Sequence, residues 1–482
     1  MSELPKGWVG TRLGDFVVVL NGYAFKSKDY VSPSIETVPV IRISDIQDGI
    51  VSADTATHIN EKLAPSGFLI ESGDLLIAMS GATTGKVGVY QECEIVYQNQ
   101  RVGNIKLLSP SNSDHRYRNY LIEFIRDDIL KKAYGAAQPN ISGKSLEEFI
   151  VPIAPLNEQI RIANKLDSIL AKVDKAQARL DKIPALLKRF RQSVLAAATS
   201  GELTKEWREE NETSKVIIEN LNTVNDAYDI WERTTKLERP ENWTYCKLIQ
   251  TGKIQGGGTP RKNNSDYWDG DIPWVTPKDM KRDFINESQL MVTKIGVSES
   301  SAKMIDSSSI LFVVRGMILA HSFPVALNLR GVTVNQDMKC VTPAKFIDSK
   351  YLLYVLKSQK DLFVELASSS THGTKRLEAK MYNNVAIPVC PMEEQTEIVR
   401  IIEILLAKAN KIEKQYLDAK ARLDRLTQSI LAKAFRGELV PQDPADEPAD
   451  KLLERILAER EAAKPKKVTR KRTPKAKTTE KK

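Results

Sequence analysis

The sequence has few of the residues that bind metals or form disulfides. Its 482 residues include four cysteines and four histidines. The cysteines, Cys93, Cys246, Cys340 and Cys390, are far apart and form no Cys-x-x-Cys pair. This pattern gives neither a zinc signature nor a disulfide framework. We therefore expect free thiols in a reducing cytosol, and a protein with no metal site or cofactor of its own.

Long apolar runs are also missing. No run of roughly 18 consecutive apolar residues occurs, so the sequence predicts no membrane-spanning helix. Residues 1–8 lack the basic-then-apolar layout of a secretory signal. The composition, 41% hydrophobic and 28% charged, is typical of a soluble globular protein, and the length predicts about three domains. We expect a cytoplasmic protein.

Catalytic motifs are absent as well. Residues 81–87, Gly-Ala-Thr-Thr-Gly-Lys-Val, are one residue short of a P-loop and end in Val, while Gly143-Lys-Ser145 follows Gln138 where a P-loop needs glycine. No (Asp/Asn/Ser)-Pro-Pro-aromatic tetrad of an adenine methyltransferase occurs. Glu378-Ala-Lys380 lacks the Pro-Asp partner that would complete a nuclease site. We therefore expect that this chain is not an enzyme.

The positive charge is concentrated at one end. The formal net charge is +9, and residues 464–482, with ten Lys or Arg and one Glu, supply all of it. We predict a disordered basic tail over residues 464–482 that contacts phosphates without reading sequence. Because the rest of the chain is neutral, charge alone does not indicate a DNA-binding protein.

The most informative feature is a duplication with an offset of 236 residues. Residues 151–159 (Val-Pro-Ile-Ala-Pro-Leu-Asn-Glu-Gln) recur as residues 387–395 (Ile-Pro-Val-Cys-Pro-Met-Glu-Glu-Gln). The same offset matches Gly201-Glu-Leu203 to Gly437-Glu-Leu439. A period this long indicates a duplicated module rather than a solenoid.

Each copy contains the heptad pattern of a coiled coil. Apolar residues recur at spacings of three and four over residues 162–194 and again over residues 398–430. This pattern predicts two helices of roughly 40 residues, about 60 Å each, packed along each other. We expect Pro184 to kink the first helix. Gly201 and Gly437 are the expected stops.

The regions ahead of the helices are duplicated more loosely. Residues 4–8 (Leu-Pro-Lys-Gly-Trp) resemble residues 239–243 (Arg-Pro-Glu-Asn-Trp), and Asn99-Gln100 aligns with Asn335-Gln336. Between such landmarks the halves diverge, so we predict two α+β domains that share a scaffold and differ in their loops. The predicted elements are strands at Leu75–Met79 and Ile310–Val314 and helices at Tyr120–Tyr134 and Tyr351–Leu366.

This arrangement resembles the specificity subunit of type I restriction–modification systems. The resemblance covers residues 1–463. It is carried by Gly256-Gly-Gly-Thr-Pro-Arg261, Tyr267–Val275, Lys278-Asp-Met280, both Pro-x-x-Pro helix starts, and residues 187–195 and 427–439. The first half has Asn21-Gly-Tyr-Ala-Phe-Lys26 in place of the Gly-Gly-Thr-Pro loop.

The resemblance implies a fold and a set of partners. The fold would be α+β, with two target-recognition domains separated by two long antiparallel coiled-coil helices in a pseudo-twofold internal repeat. Each domain would read one half of a split site in double-stranded DNA. Two modification subunits with S-adenosylmethionine would methylate adenine, and restriction subunits with ATP and Mg would translocate and cleave DNA. The specificity subunit itself would perform no chemistry.

The domain boundaries follow from the same pattern. They are a first target-recognition domain at 1–150, a first spacer helix at 151–208, a linker helix at 209–238, a second target-recognition domain at 239–386, a second spacer helix at 387–440, a C-terminal helix at 441–463 and the tail at 464–482. The linker helix is predicted from a stripe at Ile217, Leu221, Val224, Tyr228 and Trp231.

Basic residues beside glycines or aromatics in predicted loops are the candidate DNA contacts, because the backbone can approach a groove there. In the first half these are Lys26, Lys28, Arg42, Lys86 and Arg101, with Asn99 and Gln100 as candidate adenine readers. In the second half they are Arg261, Lys262, Lys278, Lys281, Arg282, Arg315, Lys375 and Arg376. Since the Asn-Gln pair recurs in both halves, a role in shaping a turn is the alternative.

Two other functions compete with this hypothesis. A coiled-coil scaffold protein could use the helices for assembly without reading DNA sequence. A fused methyltransferase–specificity enzyme is the third hypothesis, and the missing cofactor and Pro-Pro motifs argue against it.

The spacer helices generate a first test. Four residues inserted between Lys172 and Val173 add about 6 Å of helix and roughly one turn. We expect the unread spacer of the target to change while the bases at either end stay the same, with a partial loss of activity. Methylation mapping reads both. Altered half-sites with a constant spacer would contradict the prediction.

Overall fold

The structure is a computed structural model, and it describes residues 4–47, 49–135, 139–218, 228–235, 239–369 and 374–463. Contacts divide the chain into two units, Met1–Leu180 with Ala419–Lys482, and Asp181–Asp418. Both units are α+β, as the sequence predicts. Among the described helices, none has the length and apolar character needed to cross a membrane.

The α-helices of the described residues are numbered here in chain order. They are α1 His115–Phe124, α2 Arg126–Ala133, α3 Gly143–Glu147, α4 Leu156–Leu180, α5 Ile183–Ser200, α6 Lys205–Glu210, α7 Tyr228–Thr235, α8 Lys294–Ser298, α9 Ser349–Ser358, α10 Lys360–Leu366, α11 Ala379–Tyr382, α12 Met392–Phe435 and α13 Ala449–Ala463.

The first unit contains two large, mainly antiparallel sheets. The strand order of one sheet is Val17–Asn21, Val102–Leu107, Leu75–Ala78, Val87–Tyr90, Gly49–Val51 and Ile46–Gln47. The order of the other is Tyr30–Val31, Thr57–Asn60, Thr37–Ile41, Val96–Gln98 and Leu69–Ile70. A separate ribbon pairs Val9–Arg12 with Ile150–Ile153, and so ties the start of the domain to the strand that leads into α4.

The second unit repeats this plan. The strand order of its larger sheet is Gly252–Gly256, Met338–Pro343, Ile310–Val313, Val325–Asn328 and Phe284–Ile285. A second sheet contains Leu290–Val292, Trp268–Val275 and Thr333–Val334, and a short ribbon pairs Ser368–Ser369 with Lys375–Arg376. Thr244–Lys247 pairs with Ala386–Val389 just as the corresponding ribbon does in the first unit.

A tryptophan fastens each domain to its long helix. In the first unit the indole Nε1 of Trp8 donates to Glu158 at 2.9 Å, and in the second Trp243 donates to Glu394 at 2.9 Å. Both carboxylates are buried in the first turn of their helix. The two segments that the sequence repeats, the one that ends in tryptophan and the helix start with its glutamate, are therefore hydrogen-bonded to each other in both units.

The glutamine after each of these carboxylates connects the helix to the domain's other helices. Gln159 accepts from the backbone N–H of Asp114 at 3.2 Å, and Gln395 accepts from that of Asp348 at 2.7 Å. Each of these aspartates caps a helix of its domain, α1 or α9. The duplication thus repeats individual hydrogen bonds, which is stronger evidence of a shared frame than similar topology alone.

The long helices run antiparallel to their neighbours inside the second unit. Arg191 of α5 donates to Asn410 and Glu413 of α12, each at 2.8 Å. Further along the chain Arg208 of α6 donates to Glu394, near the start of α12, at 2.6 Å. From Arg191 to Arg208 the residue number rises, while the contacted residues on α12 move back from 410–413 to Glu394. The two segments are therefore antiparallel, as the resemblance implies.

The first unit has a corresponding arrangement around one core. Residues of α4 and of the last part of α12 are buried in the same hydrophobic cluster. Phe435 of α12 stacks on Phe124 of α1 at a centroid distance of 4.9 Å and lies 5.3 Å from Tyr117. The end of α12 is therefore an integral part of the core of the first domain.

Proline and glycine act where the sequence predicts. Helix α4 ends at Leu180 and α5 begins at Ile183 with Pro184 in its first turn, because proline lacks the N–H and fits only at a helix start. The second copy has Lys420 there, and α12 is continuous over 44 residues. Gly201 and Gly437 follow the helices with φ of +84° and +73°.

Other helix predictions need correction at their boundaries. The helix predicted at Tyr120–Tyr134 is two helices, α1 and α2, which meet at Ile125. The one predicted at Tyr351–Leu366 is likewise divided, at Gln359, into α9 and α10. The C-terminal helix begins at Ala449 rather than residue 441. The basic tail lies outside the described residues.

The linker is not one helix. Residues 212–218 are irregular, with Val216 and Ile218 packed on the core and Ile217 85% exposed. The apolar residues therefore alternate with a period of two, which suits an extended chain and not a helix. Leu221 and Val224 lie outside the described residues, and helix α7 contains Tyr228 and Trp231.

Candidate nucleic-acid interface

The repeated Asn-Gln pair forms the same turn in both units. The amide oxygen of Asn99 accepts from the backbone N–H of Arg101, and that of Asn335 accepts from the N–H of Asp337, each at 3.2 Å. The backbone N–H groups of the two asparagines bond to strand residues Ile41 and Val275. These side chains therefore shape a turn, in agreement with the alternative reading of the repeat.

Asn99 is consequently a poor candidate for reading adenine. Its amide nitrogen donates to Tyr30 at 3.1 Å, and the residue is 8% exposed. A bidentate contact to adenine needs both amide groups, and both are occupied within the domain. Gln100 differs, because it is exposed at the tip of the same turn. The turn thus presents the glutamine and conceals the asparagine.

A cleft in the first unit is lined both by residues that the sequence predicted as DNA contacts and by residues that it did not. It has a volume of about 1080 Å³ and is lined by Met79, Ser80, Gly81, Ala82, Gln100, Arg101, Tyr134, Pro139 and Asn140. Gln100 and Arg101 were predicted from sequence. Tyr134 and Asn140 were not, because they come from the far end of α2 and the segment after it. A backbone β-bridge between Ser80 and Asn140 holds that segment against the loop that contains Ser80.

The second unit places cations at the corresponding position. The backbones of Arg315 and Arg376 form an isolated antiparallel β-bridge, and the N–H of Gly316 donates to the carbonyl of Lys375 at 3.0 Å. The guanidinium of Arg315 also lies 3.8 Å from the carboxylate of Asp337. Arg315 and the adjacent pair Lys375 and Arg376, all predicted candidates, are therefore brought together beside the Asn-Gln turn although about 60 residues separate them in the sequence.

The Gly-Gly-Gly-Thr-Pro loop packs on this turn. A Cβ atom on Gly257 would overlap the carbonyl oxygen of Val334, so glycine is required for the close approach. Thr259 then donates to the amide oxygen of Gln336. The indole of Trp274 donates to the carbonyl of Gly258 at 2.9 Å, which holds the loop from its other side.

The corresponding loop of the first unit is aromatic rather than glycine-rich. Tyr23 packs on Phe25 and Phe68 at centroid distances of 5.0 and 5.4 Å, and 43% of its surface is exposed. The N–H of Gln100 donates to the carbonyl of Tyr23 at 2.8 Å. Lys26 and Lys28 are exposed in the next turn of chain. The first half therefore packs a different loop, without the glycine-rich pattern, on the same Asn-Gln turn.

The remaining candidates differ in how freely they face solvent. Arg42 and Lys86 are half-buried; the Nε of Arg42 has no hydrogen-bond partner among the described residues and lies 4.0 Å from Asp45. Fully exposed candidates of the second unit are Arg261, Lys262, Lys278, Lys281 and Arg282. The N–H groups of the turn at residues 276–281 are organised by Asp279, which accepts from Thr276.

The described residues offer neither a metal-binding cluster nor a reactive buried thiol. Within the described ranges no cluster of three or more His, Cys, Asp or Glu could hold a metal ion. Burial raises the pKa of the thiols of Cys246 and Cys340 to about 12, so both are neutral and unreactive near neutral pH. What the two surfaces offer is amide groups, cations and aromatic rings.

Comparison with known proteins identifies the family. Residues 5–185 and 240–419 match the model of the type I restriction modification DNA specificity domain. The chain is 30% identical to the Escherichia coli type I restriction enzyme EcoBI specificity subunit, over 98% of this chain and 96% of that one. It is also 30% identical to the StySPI specificity subunit of Salmonella potsdam, over 98% and 99%.

Solved structures have the same fold. One, from a structural study of complex assembly and conformational transition of the type I R-M system, has a TM-score of 0.62 at 19% identity and covers 91% of this chain and 100% of its own. The HsdS subunit from Thermoanaerobacter tengcongensis has a TM-score of 0.52 at 18% identity, with 90% and 98% covered.

The chain belongs to the family of type I restriction–modification specificity subunits. It is a DNA sequence-recognition subunit and not itself an enzyme. The hypothesis of a scaffold without DNA reading receives no support. The two matched segments contain the two Asn-Gln turns, so each domain of the family contributes one of the candidate surfaces.

The close packing of the glycine loop generates a second test. In Gly257→Ala the added methyl group overlaps Val334, so the loop must move away from Gln336. We expect the affinity of the assembled complex for its DNA to fall by roughly tenfold, or about 1.4 kcal/mol. Binding titrations measure it. Gly135→Ala is the control, because its nearest neighbour would lie 3.7 Å away; equal losses for both would contradict the assignment.

Proposed function

We propose that each unit reads one half of a bipartite DNA site through the surface around its Asn-Gln turn. The observation that carries the proposal is that the same turn, held by the same asparagine hydrogen bonds, presents different neighbours in the two units. A turn that is repeated in both units but has different neighbours in each is what two different half-sites require. Gln100 is the candidate for a bidentate contact to adenine. The amide oxygen of Gln336 already accepts from Thr259, so Gln336 is a candidate for a base contact through its amide nitrogen.

The cations around the turns supply the other part of recognition. Arg101 lines the cleft at the first turn, and the carbonyl of Lys86 accepts from Ala78, the neighbour of a residue that donates to Arg101. Near the second turn lie Arg315, Lys375 and Arg376. Arginine reads guanine through O6 and N7, whereas most lysine contacts go to phosphates and carry no sequence information. We assign base contacts first to Arg101 and Arg315 and phosphate contacts to the lysines.

The chemistry belongs to partner subunits in this proposal. Two modification subunits that bind S-adenosylmethionine would methylate adenine, and restriction subunits would use ATP and Mg to translocate and cleave DNA. The specificity subunit would position them on the recognised site in the cytoplasm.

Substitution at the two turns tests the proposal. In the complex with its modification partner, we expect Gln100→Ala to relax the first half-site only and Gln336→Ala the second half-site only. A lost bidentate pair is worth about 1–3 kcal/mol of discrimination. Sequencing of methylated host DNA measures both. Lys451→Ala, on a lysine with a 59% exposed side chain, is the control.

The outcomes separate this proposal from its rivals. Relaxation of the same half-site by both variants would contradict the assignment of one unit to each half. An unchanged methylated sequence in both variants would remove the turns from base reading. Methyl transfer by the isolated chain, which is assayed in parallel, would contradict the division of labour between subunits.

A further inference from the structure

The two buried carboxylates at the helix starts are not equally paired. In the second unit, Glu394 accepts from the indole of Trp243 through Oε2. Its Oε1 accepts from the guanidinium of Arg208 at 2.6 Å and from the hydroxyl of Thr204 at 2.7 Å. Both oxygens of this carboxylate are therefore bonded, although Glu394 is fully buried.

The first unit lacks the second set of partners. Glu158 accepts from Trp8 through Oε2 at 2.9 Å. Its Oε1 is buried and has no hydrogen-bond partner among the described residues, and the whole residue is 1% exposed. Burial raises the pKa of this carboxyl against the opposing effects of Trp8 and Arg161. An unpaired buried carboxylate oxygen is costly, so such a group calls for a ligand.

The repeat explains why the partners are missing. The offset of 236 residues places Val440 and Pro444 at the positions of Thr204 and Arg208. Neither residue can donate a hydrogen bond from its side chain. The backbone also differs, because Arg208 lies on α6 while residues 438–448 form no helix. The first unit has thus lost the hydroxyl and the guanidinium together.

A cleft remains where these groups would lie. It has a volume of about 460 Å³, and Trp8, Glu158, Asp443, Pro444 and Asp446 are among its lining residues. Asp446 is already paired with Arg161 at 2.6 Å, whereas the buried Oε1 of Glu158 has no hydrogen-bond partner among the described residues. The acidic residues of the lining outnumber its lysine, Lys6, and favour a cation.

The duplicate site identifies which cation fits. In the second unit the same carboxylate, in the same first turn and bonded to the same indole, binds a guanidinium. Guanidinium–carboxylate hydrogen bonds are among the strongest that proteins make. We propose that the Glu158 cleft binds an arginine side chain supplied by a partner subunit. The inference relies on the assembly proposed above, although the ligand chemistry comes from this chain's own second half.

Direct binding tests the ligand chemistry apart from DNA reading. The probe is N-acetyl-argininamide, titrated calorimetrically into the full chain, with N-acetyl-citrullinamide as the uncharged analogue of the same shape. We expect saturable one-to-one binding of the arginine probe only. Glu158→Gln should weaken it by on the order of tenfold or more. Glu454→Gln, on a glutamate with a 69% exposed side chain, should leave it unchanged.

A second variant fills the cleft from within. Pro444→Arg places a guanidinium at the repeat position of Arg208, on a residue that lines the cleft. We expect Pro444→Arg to prevent binding of the arginine probe and to weaken association with the modification subunit. The control variant Glu454→Gln should do neither. Since it keeps Glu158, this variant decides the question if Glu158→Gln fails to fold by circular dichroism.

Three results would overturn the proposal. The first is absence of saturable binding to the wild-type chain, and the second is equal binding by wild type and Glu158→Gln. The third is binding that appears only after deletion of residues 464–482, because the chain's own arginines would then be the occupant. An unchanged methylated sequence in Gln100→Ala and Gln336→Ala, with probe binding intact, would count against the proposed DNA surfaces and not against the cleft.

Discussion

The buried hydrogen bond between a tryptophan indole and a glutamate carboxylate is the interaction on which the architecture depends. It occurs twice, from Trp8 to Glu158 and from Trp243 to Glu394. Each bond joins the first residues of a domain to the first turn of its long helix, some 150 residues later in the chain. The next residue, a glutamine, accepts a backbone N–H at a domain helix start. Domain and helix are thereby locked in one geometry, which a protein that reads DNA at defined positions needs.

A fixed frame allows the loops to vary. The glycine loop of the second unit and the aromatic cluster around Tyr23 in the first contact the same Asn-Gln turn. Because the asparagine side chain accepts a hydrogen bond from the backbone of the turn itself, the turn keeps its shape when the surrounding residues change. The residues presented around the turn can therefore differ between the halves without disturbing the core.

Sequence periodicity predicted the local features well. The heptads, Pro184 and the glycines Gly201 and Gly437 act through backbone geometry within a few residues, and the helices begin and end accordingly. The linker was mispredicted because residues 216–218 alternate towards the core with a period of two. Spacing of apolar residues over a long interval did not distinguish that pattern from a helix.

Features that depend on contacts between residues far apart in the chain could not be predicted from the sequence. Tyr134 and Asn140 join the first cleft because backbone contacts hold the segment around residues 139–141 against residues 79–81, and nothing in their local sequence indicates that proximity. The repeated Asn-Gln pair carried a partial signal, since its recurrence favoured a turn over a base contact. The unpaired oxygen of Glu158 could not be seen at all, because its significance depends on which side chains surround its counterpart Glu394.

The most direct test of the account duplicates one reader within the frame. A chain in which residues 239–386 are replaced by a second copy of residues 1–150 would keep both Trp–Glu contacts and both long helices. Expressed with the modification subunit, it should methylate a site in which the first half-site occurs twice, with the native spacer. Methylation of a site that still contains the second half-site, or of an unrelated sequence, would contradict two independent readers on one duplicated frame.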